Sequence, residues 1–339
     1  MNILFIGLGR ISQRYIRILR LNHKKKINNI YIIRHSNSSL VINDDLSSFS
    51  VKDLSEYYSL KKTNINLIKN LDIDVAFIAN APSKIRYSII EELVKQKIHI
   101  FCEKPIFPNY NFNKISKINN LIKRNKIIFF SAYQLRYHDF FIQIQKDITN
   151  KKYGKLRYLK MEIAESFHLF NRYTNLKNSH YVSKKLGGGV LLAQCHEIDI
   201  LHYLFQNLKI KKVNAPTKPF LNKLNVDMLV NILFTGMYSN FQFPIQLNMN
   251  MLDPLPKREG YFYFEKKIIS YDLRNNISYQ YNFEKNILKK KEYKFERIDL
   301  FKKEVSDFFS LINHKKINYT NFENGLLSLK TIDKIKKKL

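Results

Sequence analysis

Tryptophan is absent from the 339 residues, and glycine (9), proline (8) and cysteine (2) are scarce. Two cysteines, Cys102 and Cys195, exclude a disulfide framework, and a cytoplasmic protein is expected. No apolar run approaches the roughly 18 residues that a membrane helix needs, so no membrane partner is expected. Met1–Gly7 offers no basic leader and no long apolar core, so a signal peptide is not expected. Acidic residues are few as well: 28 against 58 Lys and Arg, a net charge of +30. Taken alone, that charge points to nucleic acid or an anionic surface. The lysines are spread along the chain, though, and crowd together with Asn, Ile, Phe and Tyr throughout, the mark of a genome drifting toward A and T. Drift is favoured over nucleic-acid binding, and the field is expected to steer anionic small molecules such as nucleotide sugars. Hydrophobic residues make up 45%, enough for a buried core, and the length suits two domains.

Scarce glycine gives weight to the places where glycine stands. The first cluster is Gly7-Leu8-Gly9-Arg10-Ile11-Ser12. A buried-strand pattern, Asn2 to Ile6, precedes it; Ile11, Tyr15, Ile18 and Leu19 follow at helical spacing. Strand, glycine turn and helix are the context of a dinucleotide fingerprint. The first glycine makes the turn, and the second lets backbone approach a pyrophosphate at the helix N-terminus. Ser12 stands where a third Gly or Ala is usual. At the end of the next strand, residues 30–33, an acid would bind the ribose of NAD. The chain has Arg34-His35-Ser36 there. Arg34 and Ser36 suit the 2′-phosphate of NADP instead, unless Arg34 is one more surface cation of a basic chain, so the cofactor is read as NAD(P), tipped toward NADP.

Strands at 75–78, 99–102 and 126–133 alternate with helical patterns at 53–70, 84–97 and 110–125. That alternation predicts a doubly wound parallel sheet, with ligands at the carboxyl ends of its strands. From about residue 136 strands dominate, at 157–163, 226–234, 245–251, 260–265, 268–272 and 278–283. They predict a large, mostly antiparallel, open sheet, closed by two helices between 300 and 329. The fold expected is α/β: a Rossmann domain over 1–135, then an α+β substrate-binding and oligomerisation domain over 136–339.

Glu103-Lys104-Pro105 follows a buried strand directly. A lysine beside a nicotinamide has its ammonium form disfavoured, and so can exchange a proton with a substrate hydroxyl. The same Lys104 is also one of 58 basic side chains. The second glycine cluster, Gly187-Gly188-Gly189, leads into His196, Asp199 and Tyr203 on one helical face. The glycines are expected to free backbone for a ligand or cofactor. His196 suits proton transfer, or a structural place. A metal is not expected, because no third ligand has suitable spacing. The polar stretch 165–186, with Tyr181, is read as a substrate-choosing loop or an ordinary surface loop.

These segments, with Asn80-Ala81-Pro82-Ser83 and Tyr133-Gln134-Leu135-Arg136-Tyr137-His138, resemble the Gfo/Idh/MocA oxidoreductase family nearly end to end. The likeness is greatest to the branch of sugar and nucleotide-sugar metabolism for surface polysaccharides. The resemblance implies Lys104 as catalytic lysine and His196 as active-site histidine. It implies Gly7, Gly9, Arg10 and Ile11 along the pyrophosphate and ribose, and Asn80, Pro82 and Glu103 along the cofactor. It places Tyr133 and Arg136 toward the cleft, and implies a homo-oligomer, a dimer or tetramer, formed through the open sheet; Tyr181 of the polar loop and Asp199 of the His196 face are added as candidate substrate contacts. There are departures. Leu192 and Ala193 stand where relatives carry an acid, and Arg86 where they often carry histidine. They keep a second reading open, a catalytically weak or inactive dinucleotide-binding sensor. A basic nucleic-acid binder is the third.

Overall fold

The computed structural model describes all residues except 35–37, 171–178, 206, 217–225, 239–240, 295, 316 and 318. Two compact units divide the chain: Met1–Gln134 with Glu296–Leu326, and Leu135–Phe295 with Leu327–Leu339.

The first unit begins β1 (Asn2–Ile6), α1 (Arg10–Asn22), β2 (Asn29–Ile33), β3 (Leu40–Ile42), β4 (Ser48–Ser50), α2 (Leu54–Tyr57) and β5 (Lys61–Lys62). It continues β6 (Val75–Ile78), α3 (Ile85–Lys95), β7 (His99–Glu103), α4 (Phe112–Arg124) and β8 (Phe129–Ala132). Six strands form a parallel sheet in the order β5-β2-β1-β6-β7-β8. Its core is a ladder of stacked rings on adjacent strands. Phe5, Phe77, Phe101 and Phe130 follow one another at 5.0, 4.8 and 5.1 Å between centroids. Apolar area of this size is the main stabilising term of such a layer.

The helix expected over 53–70 is not continuous. Asp53 caps α2 by accepting from the Ser55 amide at 2.6 Å, and Ser59 turns the chain at φ +40°. Lys61 and Lys62 then pair with Tyr31 and Ile32 as a sheet edge. Burial of Leu54, Tyr58, Leu60 and Ile68 is met by this broken path.

The second unit contains α5 (Asp139–Thr149), β9 (Leu156–Ala164), α6 (Phe167–Phe170), α7 (Val190–Ala193), α8 (His196–Leu204), β10 (Asn207–Asn214), β11 (Leu229–Tyr238) and β12 (Phe241–Asn250). After these come β13 (Lys257–Phe264), β14 (Lys267–Asp272), β15 (Ile277–Asn282) and β16 (Ile287–Glu292). Eight strands order as β10-β11-β12-β9-β13-β14-β15-β16, antiparallel except for β12 beside β9. Alternation puts Met161, Ile163, Ile245, Leu247, Met249, Phe262 and Phe264 on the buried face. Tyr158, Tyr261, Tyr263, Tyr279 and Tyr281 take the other.

The last helices are α9 (Arg297–Ile312) and α10 (Phe322–Lys336). Segment 296–326, expected with the second domain, packs with the first unit. The reason is aromatic: Phe308 of α9 lies 5.8, 5.4 and 5.8 Å from Phe77, Phe101 and Phe130, covering the phenylalanine ladder.

Gly7 and Gly9 separate in their local demands. Gly7 sits at φ +91°, and a Cβ there would come within 3.0 Å of Asn80 Cα and Cβ. Gly9 has an ordinary φ of −76°, and its Cβ would meet nothing within 4 Å. Gly7→Ala is expected to lower stability by about 1–3 kcal/mol, and Gly9→Ala by less than about 0.5 kcal/mol. Denaturant unfolding of the two variants checks this.

Candidate active site

The glycine turn supplies the first part of the site. The Gly7 amide donates to the Ile33 carbonyl at 2.8 Å, so β1 and β2 end together and the chain turns beside Asn80. Gly9 is the N-cap of the 13-residue α1. No side chain caps that terminus, and its first turn carries no acid. Helix N-terminal amides and the helix dipole together favour an anion there. Neither backbone strain nor a neighbouring atom demands glycine at 9, and the open space there leaves room for a ligand close to the backbone. Arg10 and Ile11 are half-buried at the start of the helix, and Ser12 is fully buried. The turn therefore fits the pyrophosphate of a dinucleotide.

The ends of β2, β6 and β7 supply the next groups. Arg34 follows β2 and donates to the Ser38 carbonyl at 2.7 Å. Ser36 lies outside the described residues. Asn80 and the buried Pro82 follow β6, and Glu103-Lys104 follows β7. Glu103 is buried and accepts from the Tyr15 hydroxyl at 2.6 Å. Burial pushes its carboxyl above the usual range, against the pull of Tyr15 and Lys104. Lys104 is part-exposed. One cation binds these loops together. Arg86 of α3 is 1% exposed. Its Nε donates to Asn80 Oδ1 at 3.1 Å and its Nη2 to the Asn80 carbonyl. Its Nη1 reaches the carbonyls of Glu103, Pro105 and Ile106 at 3.0, 2.6 and 3.3 Å.

Tyr133 does not take the substrate-facing place expected of it. It is 1% exposed, and its hydroxyl donates to the Gly325 carbonyl at 3.1 Å. A buried phenol needs such a partner.

In the second unit, α8 carries His196 at its start, 3% exposed. Its flanks are fixed by Arg258 of β13, which pairs with Glu197 at 2.8 Å and donates to Gln194 Oε1 at 2.7 Å. Arg136 and Asp199, both expected to hold substrate, hold each other. Arg136 Nε and Nη2 meet the two Asp199 oxygens at 2.8 and 2.7 Å, a bidentate fork. Asp199 is 1% exposed, and Tyr203 lies 5.4 Å beneath the guanidinium. Within the second glycine cluster, Gly189 has a neighbour of its own. Gly189 stands at φ +103°, and a Cβ there would collide with the Asp227 carboxylate at 2.4 Å. That carboxylate accepts from the Leu191 amide at 2.9 Å, capping α7. The glycine admits a neighbouring carboxylate. Tyr181 accepts from the Gly189 amide at 2.8 Å through its carbonyl.

Residues 1–133 match the Gfo/Idh/MocA oxidoreductase family, NAD-binding Rossmann fold. That family covers the glycine turn, Asn80 and Glu103-Lys104. The chain is 25% identical over 202 residues to "Uncharacterized oxidoreductase YrbE" of Bacillus subtilis, covering 59% of this chain and 52% of that one. It thus spans about half the length of the curated relative it matches. Solved structures share the whole fold. UDP-N-acetylglucosamine 3-dehydrogenase GnnA from Acidithiobacillus ferrooxidans superposes at TM-score 0.74 with 13% identity, over 100% of this chain and 97% of that chain. An inositol dehydrogenase homolog complexed with NAD+ from Azotobacter vinelandii gives 0.77 at 11%, over 100% and 95%. Biliverdin reductase with biliverdin and NADP+ from Synechocystis gives 0.73 at 12%, over 99% and 98%.

Sequence reasoning treated Arg86 only as a departure from the family pattern. A signal was present: Arg86, Ile90 and Leu93 follow helical core spacing, which sets a cation on a buried stripe.

His202, on α8, is bonded to Thr331 Oγ1 at 2.8 Å. Burial, then the charges of Arg136 and Lys334, lower its pKa from 6.5 to about 4. The folded protein keeps it neutral while the unfolded chain protonates it near 6.5. Its contribution is therefore complete above 6.5 and drains as pH falls toward 4, by up to about 3 kcal/mol. In denaturant titrations between pH 7 and 5, His202→Gln is expected to flatten the stability loss seen in the wild type.

Proposed function

We propose that the protein is an NAD(P)-dependent oxidoreductase acting on a CH–OH group of a sugar or nucleotide sugar, in the making of surface-polysaccharide sugars. The observation that carries the reading is Gly9, a glycine with ordinary backbone and open space at an uncapped helix N-terminus. When bound, the dinucleotide supplies hydride transfer at its nicotinamide. The chain's own work is to bind, orient and move a proton. Gly7, Gly9, Arg10 and Ile11 hold the pyrophosphate and ribose, with Asn80, Pro82 and Glu103 further along the cofactor. Lys104 takes the substrate hydroxyl proton in oxidation and returns it to the carbonyl oxygen in reduction. His196 assists. Arg34, with no acid beside it at the end of β2, supports NADP over NAD. Arg136 and Asp199 act as one unit that shapes the substrate side, and Tyr181 joins it through the loop.

The sugar reading draws on the names of the two dehydrogenase-like neighbours and on the +30 charge, which suits an anionic nucleotide sugar. The tyrosine-bearing outer face of the second sheet suits a homo-oligomer contact, and the cytoplasm is the expected compartment. A dinucleotide sensor remains the second reading, favoured by one observation: the α7 positions Leu192 and Ala193 are buried and uncharged.

Calorimetric titration of NAD+, NADH, NADP+ and NADPH, with and without a nucleotide-sugar panel, tests the proposal. The wild type is expected to bind one dinucleotide pair, and Gly9→Val to fold normally with affinity reduced about 100-fold. Lys104→Ala is expected to lose turnover by about 10²–10⁴ while cofactor affinity stays within about threefold. Tight dinucleotide binding with no turnover on any sugar selects the sensor. No binding by a folded sample overturns both readings.

A further inference from the structure

Arg86 is a full cation in the interior. It is 1% exposed, and its donors end on carbonyl and amide oxygens of Asn80, Glu103, Pro105 and Ile106. Among the described residues its hydrogen bonds include no side-chain carboxylate, and the Glu103 carboxyl acts on it only through space. An arginine keeps its proton even there, and a buried charge acts over a longer range than a screened surface one. Its position is specific. Asn80, which it grips, is the residue against which Gly7 turns. Its other grip is the loop that carries Lys104. The charge thus stands at the carboxyl edge of β6 and β7, where a doubly wound sheet binds its dinucleotide.

Resting on the dinucleotide reading above, we infer that Arg86 biases the bound cofactor toward its reduced form. An oxidised nicotinamide is a cation and a reduced one is neutral. A fixed positive charge at the carboxyl edge penalises only the first. The equilibrium in free solution is untouched; the equilibrium between bound forms moves, in the direction of carbonyl reduction. The Glu103 side chain is turned to the Tyr15 hydroxyl, at 2.6 Å, and Arg86 meets Glu103 only at its backbone carbonyl. Arg86 is a positioning residue as well, but a purely structural clamp would weaken both cofactor forms alike.

The test is the ratio of dissociation constants, oxidised over reduced, from calorimetry with NAD+, NADH, NADP+ and NADPH. Arg86→Gln is expected to lower that ratio about tenfold relative to wild type. Arg86→Lys, which keeps the charge, is expected to hold it within about twofold. Equal weakening of both forms in Arg86→Gln overturns the inference and leaves the dinucleotide reading intact. If Arg86→Gln does not fold, Arg86→His takes its place at pH 8, where the imidazole is neutral, with the same expected fall. Tighter binding of the oxidised form by the wild type overturns the inference without any variant. A folded wild type that binds none of the four overturns the proposed function itself.

Discussion

The carboxyl edge of the first sheet depends on one buried guanidinium. Parallel strands end with carbonyls that have no further ladder partner, and here two such ends are brought together. Arg86 satisfies oxygens on both, at Asn80 after β6 and at Glu103, Pro105 and Ile106 after β7. Removing a charge from water costs several kcal/mol, and only a full set of hydrogen bonds makes that bearable. The five donor contacts supply them. Gly7 then brings the turn after β1 against Asn80, close enough that no side chain fits between. Three strand ends are thereby locked through one side chain and one missing Cβ. Lys104, one residue beyond β7, inherits that rigidity.

The second unit solves the same problem with charge pairs. Arg136 and Asp199 satisfy each other in a bidentate fork, and Arg258 pairs with Glu197 while holding Gln194. Breaking such a pair from one side leaves a buried charge behind and costs about 3–5 kcal/mol. Helix α8 is thus tied on two faces, by Arg136 from one segment and Arg258 from another. Residues that look like ligand contacts because they are charged and close to a histidine are here the fastenings of the helix that carries it.

What the sequence makes legible follows from locality. The glycine turn, β1, β6 and β7 are short stretches whose pattern and neighbours lie within a few residues. The two closing helices appear where their periodicity predicts, and the sheet of the second unit is open and mostly antiparallel as expected. What escapes is set by residues far apart in the chain. Gly189 answers to Asp227, Tyr133 to Gly325, and the phenylalanine ladder to Phe308. No local window contains these pairs. The interrupted helix at 53–70 fails for a related reason, since the pairing of Lys61 and Lys62 with β2 outweighs helical periodicity.

Strands β10 and β16 escape because neither holds a fully buried residue: β16 is exposed throughout, and the alternation of β10 is broken by a bulge between Ile210 and Lys212. They also explain where part of the positive charge goes. Lys209, Lys211 and Lys212 stand on β10, Lys289, Lys290 and Lys291 on β16, and Lys61 and Lys62 on β5. β10 and β16 are the two edges of the eight-stranded sheet, and β5 is an edge of the six-stranded one. An edge strand offers unpaired amides and carbonyls to any other strand, and lysine is the usual means of making that pairing unfavourable. Eight basic residues therefore have a structural reason that involves no ligand. A nucleic-acid surface would instead gather its lysines and arginines on one face with aromatics among them. Here these lysines are divided among edges of two sheets in two separate units, so edge protection accounts for them where a binding stripe does not.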